Sequence, residues 1–134
     1  MKKAWRLVAG AAAGVGLMAG VASPASAAHK DGVCNPGDLC LFATDGFSGA
    51  FVDYYFGDND HRNDRFIGGA GRPGYNQIVA DNAQAAWNFD PNSWAVIATL
   101  LACEGSTQIL EENENIPRLA AGIWNNNWSN CWAG

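Results

Sequence analysis

Beyond its first 27 residues this 134-residue sequence has no apolar run long enough to cross a bilayer, which takes about 20 residues. It contains no HExxH, no GxSxG, no phosphate-binding loop and no dinucleotide fingerprint. The common hydrolase, kinase and dehydrogenase chemistries therefore have no foothold, and the chain is expected not to be an enzyme. Histidine is scarce: His29 lies near the start of the exported part and His61 is the only internal one. An isolated histidine like His61 is expected at the surface. Helical periodicity is poor throughout, although Gln77 to Trp87 is alanine-rich and leaves room for a short helical turn. Basic residues are also few. A chain so acidic is repelled by nucleic-acid phosphates and by anionic membrane surfaces.

What is present begins with an export leader. Lys2, Lys3 and Arg6 precede an apolar stretch from Leu7 to Val21, and Ala25-Ser26-Ala27 follows as a small-x-small cleavage site. Cleavage after Ala27 would leave residues 28–134 as one secreted domain with no membrane anchor. The leader holds three of the eight basic residues and none of the 13 acidic ones, so the remainder carries a net charge of −8. All four cysteines, Cys34, Cys40, Cys103 and Cys131, lie in that remainder. An even number in a small exported chain reads as two disulfides, with three pairings open. Cys34 and Cys40 flank a Pro-Gly turn and can meet locally, which favours Cys34–Cys40 with Cys103–Cys131. A zinc site would need more than these unpaired spacings offer.

The exported part reads as short strands between recurring turns, the pattern of a sandwich or barrel. Strands are expected at Leu39–Phe42, Ala50–Phe56, Ile78–Val79, Ala85–Phe89, Trp94–Ala102, Gln108–Leu110 and Leu119–Trp124. Turns fall at Asp45-Gly46, Asp90-Pro91-Asn92 and Glu111–Asn115. The two halves also repeat. Phe42, Phe47 and Gly49 have the same spacing as Ala98, Cys103 and Gly105, and Trp87 and Trp132 close the two units if Asp81-Asn82 is matched to Asn126-Asn127.

The Phe42…Phe47-Ser48-Gly49 spacing is similar to the folded-hairpin signature of βγ-crystallin Greek keys, in which the aromatic pair covers the hairpin and the glycine takes a conformation closed to other residues. The opening Cys34-Asn-Pro-Gly-Asp-Leu-Cys40-Leu-Phe resembles that of the actinomycete metalloproteinase-inhibitor family, which are secreted, disulfide-bonded, crystallin-like domains. The resemblance implies an all-β, disulfide-stabilised, βγ-crystallin-like sandwich of two Greek-key motifs, monomeric, with an extracellular protease as partner. Its implied activity is inhibition of an extracellular metalloprotease by a rigid loop that occludes the active-site cleft, and the alternative is a crystallin-like extracellular structural or calcium-binding protein without inhibitory activity. The second hairpin departs from the pattern, with Ala98 and Cys103 where aromatics belong. The crystallin calcium motif is degraded in both units: Asp81-Asn82-Ala83-Gln84-Ala85-Ala86 lacks its hydroxyl, and the second unit reads Asn126-Asn127-Trp128-Ser129-Asn130-Cys131, where a shift to begin at Asn125 recovers a serine but breaks the alignment with Trp87. No cofactor is expected, and at most weak calcium binding.

The first unit exceeds the second by 11 residues when Trp87 is matched to Trp132, and the polar stretch Gly57–Gly74 is the natural place for the surplus. Long loops on a rigid β-scaffold are where binding residues sit. Arg62, Arg65, Phe66, Ile67 and Arg72 are the candidate protease contacts within it. Asp58, Asp60 and Asp64 begin like a calcium loop, but Asn63 stands where the tight-turn glycine belongs, leaving only a loose ion site to expect. Among the tryptophans, Trp128, set amid Asn and Ser, is the one expected to be exposed.

Overall fold

The structure is a computed structural model and describes residues 28–134. The leader and its cleavage site lie outside the described residues. Seven strands run in two antiparallel sheets: β1 (Leu39–Phe42), β2 (Phe51–Tyr54), β3 (Ala85–Asn88), β4 (Trp94–Ala98), β5 (Thr107–Leu110), β6 (Asn115–Ile116) and β7 (Ser129–Ala133). The orders are β2-β1-β3-β6 and β5-β4-β7. Among the described residues there is no α-helix, only single 3-10 turns at Asp45–Phe47, His61–Asn63 and Leu101–Cys103. Alternation along each strand explains the layers. Leu39, Leu41, Val52, Tyr54, Ala86, Ala95, Ile97, Leu110 and Trp132 join one core, while Cys40, Phe42 and Ala85 face the other side of the first sheet.

The duplication is visible in register. β1 pairs with β2 as Leu39 with Tyr54, and β4 pairs with β5 as Ala95 with Leu110, a uniform offset of 56 residues. The closing strands are offset by 44: β1 meets β3 at Leu39 and Asn88, and β4 meets β7 at Ala95 and Trp132. The first unit is thus 12 residues longer, not 11, and Trp87 corresponds to Cys131 rather than to Trp132. Each unit also lends a segment to the other's sheet. β6 of the second unit pairs with β3, and Asp58 of the first unit bridges to Asn130 in β7. This exchange is what makes two Greek keys into one sandwich with a shared core.

The same register explains the irregular second hairpin. Phe42, Phe47, Phe51 and Trp87 pack together over the first sheet, with Phe42 edge-on to Phe47 at 5.2 Å and Phe47 to Trp87 at 6.3 Å between ring centroids. Their counterparts are Ala98, Cys103, Thr107 and Cys131. The Cys103–Cys131 disulfide therefore stands where the first unit has the Phe47–Trp87 contact. Backbone geometry is kept despite the change of chemistry: Phe47 and Cys103 have φ of 66° and 62°, and Gly46 and Ala102 have 72° and 55°. Close approach calls for glycine in both hairpins, since a Cβ at Gly105 would lie 2.4 Å from the Thr99 hydroxyl. Gly105 also has φ of 83°, a left-handed value that favours glycine. Gly49 is not left-handed; a Cβ there would lie 2.5 Å from the Thr44 hydroxyl and 2.9 Å from its main-chain nitrogen, so close approach is what requires glycine.

Several expected strands differ. Leu119–Trp124 is a turn, in which the N–H groups of Ile123 and Trp124 both donate to the Ala120 carbonyl and Leu119 and Ile123 reach the core together. Ile78 makes only an isolated bridge, to Arg65, and residues 77–84 form turns before β3 with no helix. β6 and β7 arise where the sequence has weak strand character, because pairing with β3 and β4 supplies what propensity does not.

If the disulfide replaces the aromatic contact, alanine at both Cys103 and Cys131 should lower unfolding stability by about 3–4 kcal/mol, the value for a closed loop of this size. Trp87→Ala should cost about 2–4 kcal/mol by opening the equivalent contact. Urea denaturation of the three proteins measures both, and a loss below about 1 kcal/mol for either would refute the equivalence.

Candidate binding surface

The stretch from Gly57 to Gly74 has two parts with different fates. Residues 57–64 are hydrogen-bonded to the body, with His61 and Asp64 buried. The Asp58 N–H donates to the Asn130 carbonyl and the Asn130 N–H donates back, both at 2.9 Å, and the His61 N–H reaches the Trp128 carbonyl at 2.7 Å. Residues 65–78 fold back on themselves as a projection. Arg65 faces Ile78; the Phe66 N–H donates to the Gln77 carbonyl at 3.0 Å, and the Asn76 N–H to the Phe66 carbonyl at 2.8 Å. Gly68 and Phe51 exchange N–H···O bonds in both directions, and the Ala50 N–H donates to the Pro73 carbonyl. At Gly68 a Cβ would lie 2.4 Å from the Phe51 ring, so only glycine lets the projection lie against β2. Backbone bonds at base and flank hold the projection in one shape, although its tip, residues 69–74, carries three glycines and a proline.

A charged cluster locks the base. Lys30 Nζ donates to Asp58 at 3.1 Å and to Asp64 at 2.9 Å, and the Tyr54 hydroxyl donates to the other Asp64 oxygen at 2.9 Å. Burial works against the Lys30 ammonium, but hydrogen bonds to Asp64 and Asp58 more than offset it and hold its pKa above the ordinary lysine value. Next to it the buried Asp53 accepts N–H bonds from Asp31 and Gly32; burial nevertheless pushes its pKa up to about 6. Residues 29–32 are thereby strapped across β2, where His29 Nδ1 accepts the N–H groups of Tyr55 and Phe56.

The aspartates expected to hold an ion loosely are arranged otherwise. The Lys30 ammonium stands between Asp58 and Asp64, and Asp60 turns outward to accept Arg62 Nε and Nη2. Among the described residues no group of three or more His, Cys, Asp or Glu side chains is placed to hold a metal ion. The two crystallin-type turns align only when the second motif is read from Asn125. Asp81 and Asn125 share left-handed φ values of 63° and 52°, and Asn82 and Asn126 each bond the carbonyl four residues back. The Asp81 N–H donates to the Asn127 carbonyl while the Asn125 N–H donates to the Ala83 carbonyl, a reciprocal pair across the duplication. The hydroxyl position is Ala85 in the first turn. In the second it is Ser129, whose Oγ accepts the Cys103 N–H and donates to the Leu100 carbonyl.

Of the candidate contacts, Arg62, Arg65, Ile67 and Arg72 are exposed and Phe66 is not. Phe66 points inward from the projection and is fully buried in the core, so it anchors the projection and cannot touch a partner in this fold. Arg62 is tied to Asp60 and lies 5.0 Å from the Trp128 ring, which is half-buried under it. Arg65 is braced by a 2.9 Å bond from Nη1 to the Asn76 carbonyl. Tyr75 and Ile78, both exposed, were not among the candidates because they follow the loop boundary at Gly74. Only the antiparallel return of residues 75–78 beside 65–68 brings them to the same projection. The cysteines pair as Cys34–Cys40 and Cys103–Cys131.

The profile of peptidase inhibitor family I36 matches residues 27–110, ending with β5. The chain belongs to that family. Its members are peptidase inhibitors, and the fold carrying that activity here is the βγ-crystallin one. A chain solved in work on the evolution of the eye lens βγ-crystallin domain fold is similar over 85% of this chain and 93% of that one, with a TM-score of 0.58 and 19% identity. Spherulin 3a from Physarum polycephalum is similar over 77% and 88%, with a TM-score of 0.54 and 18% identity. The N-terminal domain of protein S is similar over 72% and 96%, with a TM-score of 0.53 and 16% identity. At these identities the likeness is one of fold. No curated protein sequence matches the chain. Among the described residues no helix is long and apolar enough to cross a membrane.

His61, expected at the surface, is fully buried between the two units, stacked on Tyr54 at 5.0 Å with Nε2 donating to Asn130 Oδ1 at 2.6 Å. Burial lowers its pKa, opposed by the Asn130 bond and the nearby aspartates. With the folded pKa depressed, the unfolded chain binds the proton first. Stability from His61 is complete above about pH 6.5 and falls as pH drops, by up to about 1.4 kcal/mol per pH unit. The raised pKa of Asp53 acts the other way between its unfolded value, about 4, and its folded value near 6. The difference between wild type and His61→Gln isolates the histidine. Urea melts from about pH 7.5 to 5 should show a shallower fall in the variant, and parallel profiles would place the protonation elsewhere.

Proposed function

We propose that this chain is exported, loses residues 1–27, and acts outside the cell as a monomeric, non-catalytic inhibitor of an extracellular metallopeptidase. The inhibitory activity follows from family membership. The metallopeptidase class is supported by the opening Cys34…Cys40-Leu-Phe, which resembles that of metalloproteinase inhibitors. Export is supported by the leader, by two disulfides and by a net acidic surface. The observation that carries the mechanism is the placement of the first unit's 12 surplus residues. They form a hydrogen-bonded projection instead of a slack loop. Such a projection fills a cleft without first losing conformational freedom, so more of the contact energy appears as affinity and dissociation is slow. The mechanism is occlusion, with no bond made or broken in the inhibitor.

The reading needs no cofactor. The hydroxyl positions of the two crystallin-type turns offer one alanine and one serine already bonded on both sides, whereas calcium takes six to eight oxygens.

Two measurements test this. In a panel of thermolysin-type and subtilisin-type peptidases, the purified exported form should inhibit at least one metallopeptidase at micromolar excess. Inhibition confined to serine peptidases would refute the assigned class, and none at all would favour an extracellular structural role. In the second, millimolar calcium should move the melting temperature by no more than about 1 °C. A rise of several degrees would mean a ligand of the folded state and restore the metal-binding reading.

A further inference from the structure

The projection presents a surface whose chemistry differs from the rest of the molecule. Seven large apolar side chains are exposed among the described residues, and three of them, Ile67, Tyr75 and Ile78, lie here, exposed by 40%, 47% and 39%. Arg65 and Ile78 are antiparallel partners, so their side chains share a face. Ile67, two residues beyond Arg65, returns to that face, while Phe66 between them is buried. Residues 65–80 hold Arg65 and Arg72 and no acidic residue. Three of the five basic residues after the leader, Arg62, Arg65 and Arg72, belong to this loop in a chain that is otherwise strongly acidic.

We propose that the exposed apolar residues of the projection, Ile67, Tyr75 and Ile78, together with its Arg65 and Arg72, are the anchor of the inhibitory complex, and that the target cleft offers an apolar subsite edged by carboxylates. The inference rests on the inhibitory reading above and adds the chemistry of the partner. Tyrosine and arginine are the residues that carry most binding energy when they are desolvated at the centre of an interface. Here they stand on a backbone held by its own hydrogen bonds, with Arg65 braced against the Asn76 carbonyl. The absence of acidic side chains from residues 65–80 lets a carboxylate-edged cleft approach without like-charge repulsion, although the molecule as a whole is anionic. Basic-edged clefts meet two arginines and are rejected by the same rule.

The test uses whichever peptidase the wild-type protein inhibits most strongly. Ile67→Ser and Tyr75→Ala should each weaken inhibition by about tenfold or more, chiefly through faster dissociation. Arg65→Glu with Arg72→Glu should slow association and reverse its dependence on salt between about 50 and 300 mM. Ile109→Ser, at an equally exposed residue of the other sheet, should leave inhibition unchanged. Hydrogen exchange of the wild-type complex should show added protection within residues 65–78, a readout that requires no variant. Inhibition constants within about twofold of wild type in the first three variants, or no protection of 65–78 in an inhibited complex, would overturn this inference while leaving the inhibitory reading intact. A wild-type protein that blocks no peptidase would overturn both.

Discussion

Everything in this fold hangs on fastening each folded hairpin to the strand that closes its Greek key. The hairpin bends sharply, with two consecutive residues at positive φ in each unit, Gly46 and Phe47 in one and Ala102 and Cys103 in the other. Left-handed backbone at non-glycine residues costs about 1–2 kcal/mol each, so it persists only where the surroundings hold it. In the first unit the hold is aromatic: Phe42, Phe47, Phe51 and Trp87 close over the bend. In the second it is covalent, through Cys103 and Cys131. The two devices occupy equivalent positions and enforce the same geometry by different physics, one by burying rings and the other by closing a loop.

From that fastening the rest of the site follows. The hairpins set the register of both sheets, and the register sends Asp58 across to Asn130 and β6 across to β3. The crossing of the first unit pins the near end of its surplus chain against the second sheet, with His61 buried over Tyr54 and Asn130 beneath it. Lys30, bound to both Asp58 and Asp64, ties the same point to the segment that precedes β1. With its base held on three sides, the surplus emerges at Arg65 in a fixed direction, and Phe66 is drawn into the core as an internal peg. The projection is therefore part of the sandwich's packing and also carries three of the seven large apolar side chains exposed among the described residues.

The polar residues divide along the same line. Aspartates that read as a candidate ion loop are consumed internally by Lys30, Tyr54, main-chain N–H groups and Arg62. Asparagines that read as a calcium signature build paired turns: Asn82 and Asn126 each cap the turn behind them, and Asn127 bonds both the Ala83 and Ile123 carbonyls. Side chains of this kind satisfy main-chain groups wherever the chain reverses, so a cluster of them is as well explained by turn chemistry as by ligand chemistry.

The sequence by itself determined the all-β character, β1 with its flanking Cys34–Cys40 turn, the first folded hairpin and the 56-residue repeat of hairpin spacing, because each is written in local pattern: alternation, glycine placement and short-range cysteine spacing. What it misplaced depends on partners distant in the chain. β7 is a strand because β4 pairs with it, not because Ser129–Ala133 favours one, and Leu119–Trp124 is apolar enough for a strand but turns to deliver Leu119 and Ile123 to the core. Matching Trp87 to Trp132 followed residue type, whereas the hydrogen-bond ladder matches Trp87 to Cys131, an aromatic to a disulfide. Exposure was decided in the same way. Phe66 and His61 are buried and Tyr75 and Ile78 are not, since which side of a loop faces solvent is set by what it folds back against, and only the assembled tertiary structure contains that surface.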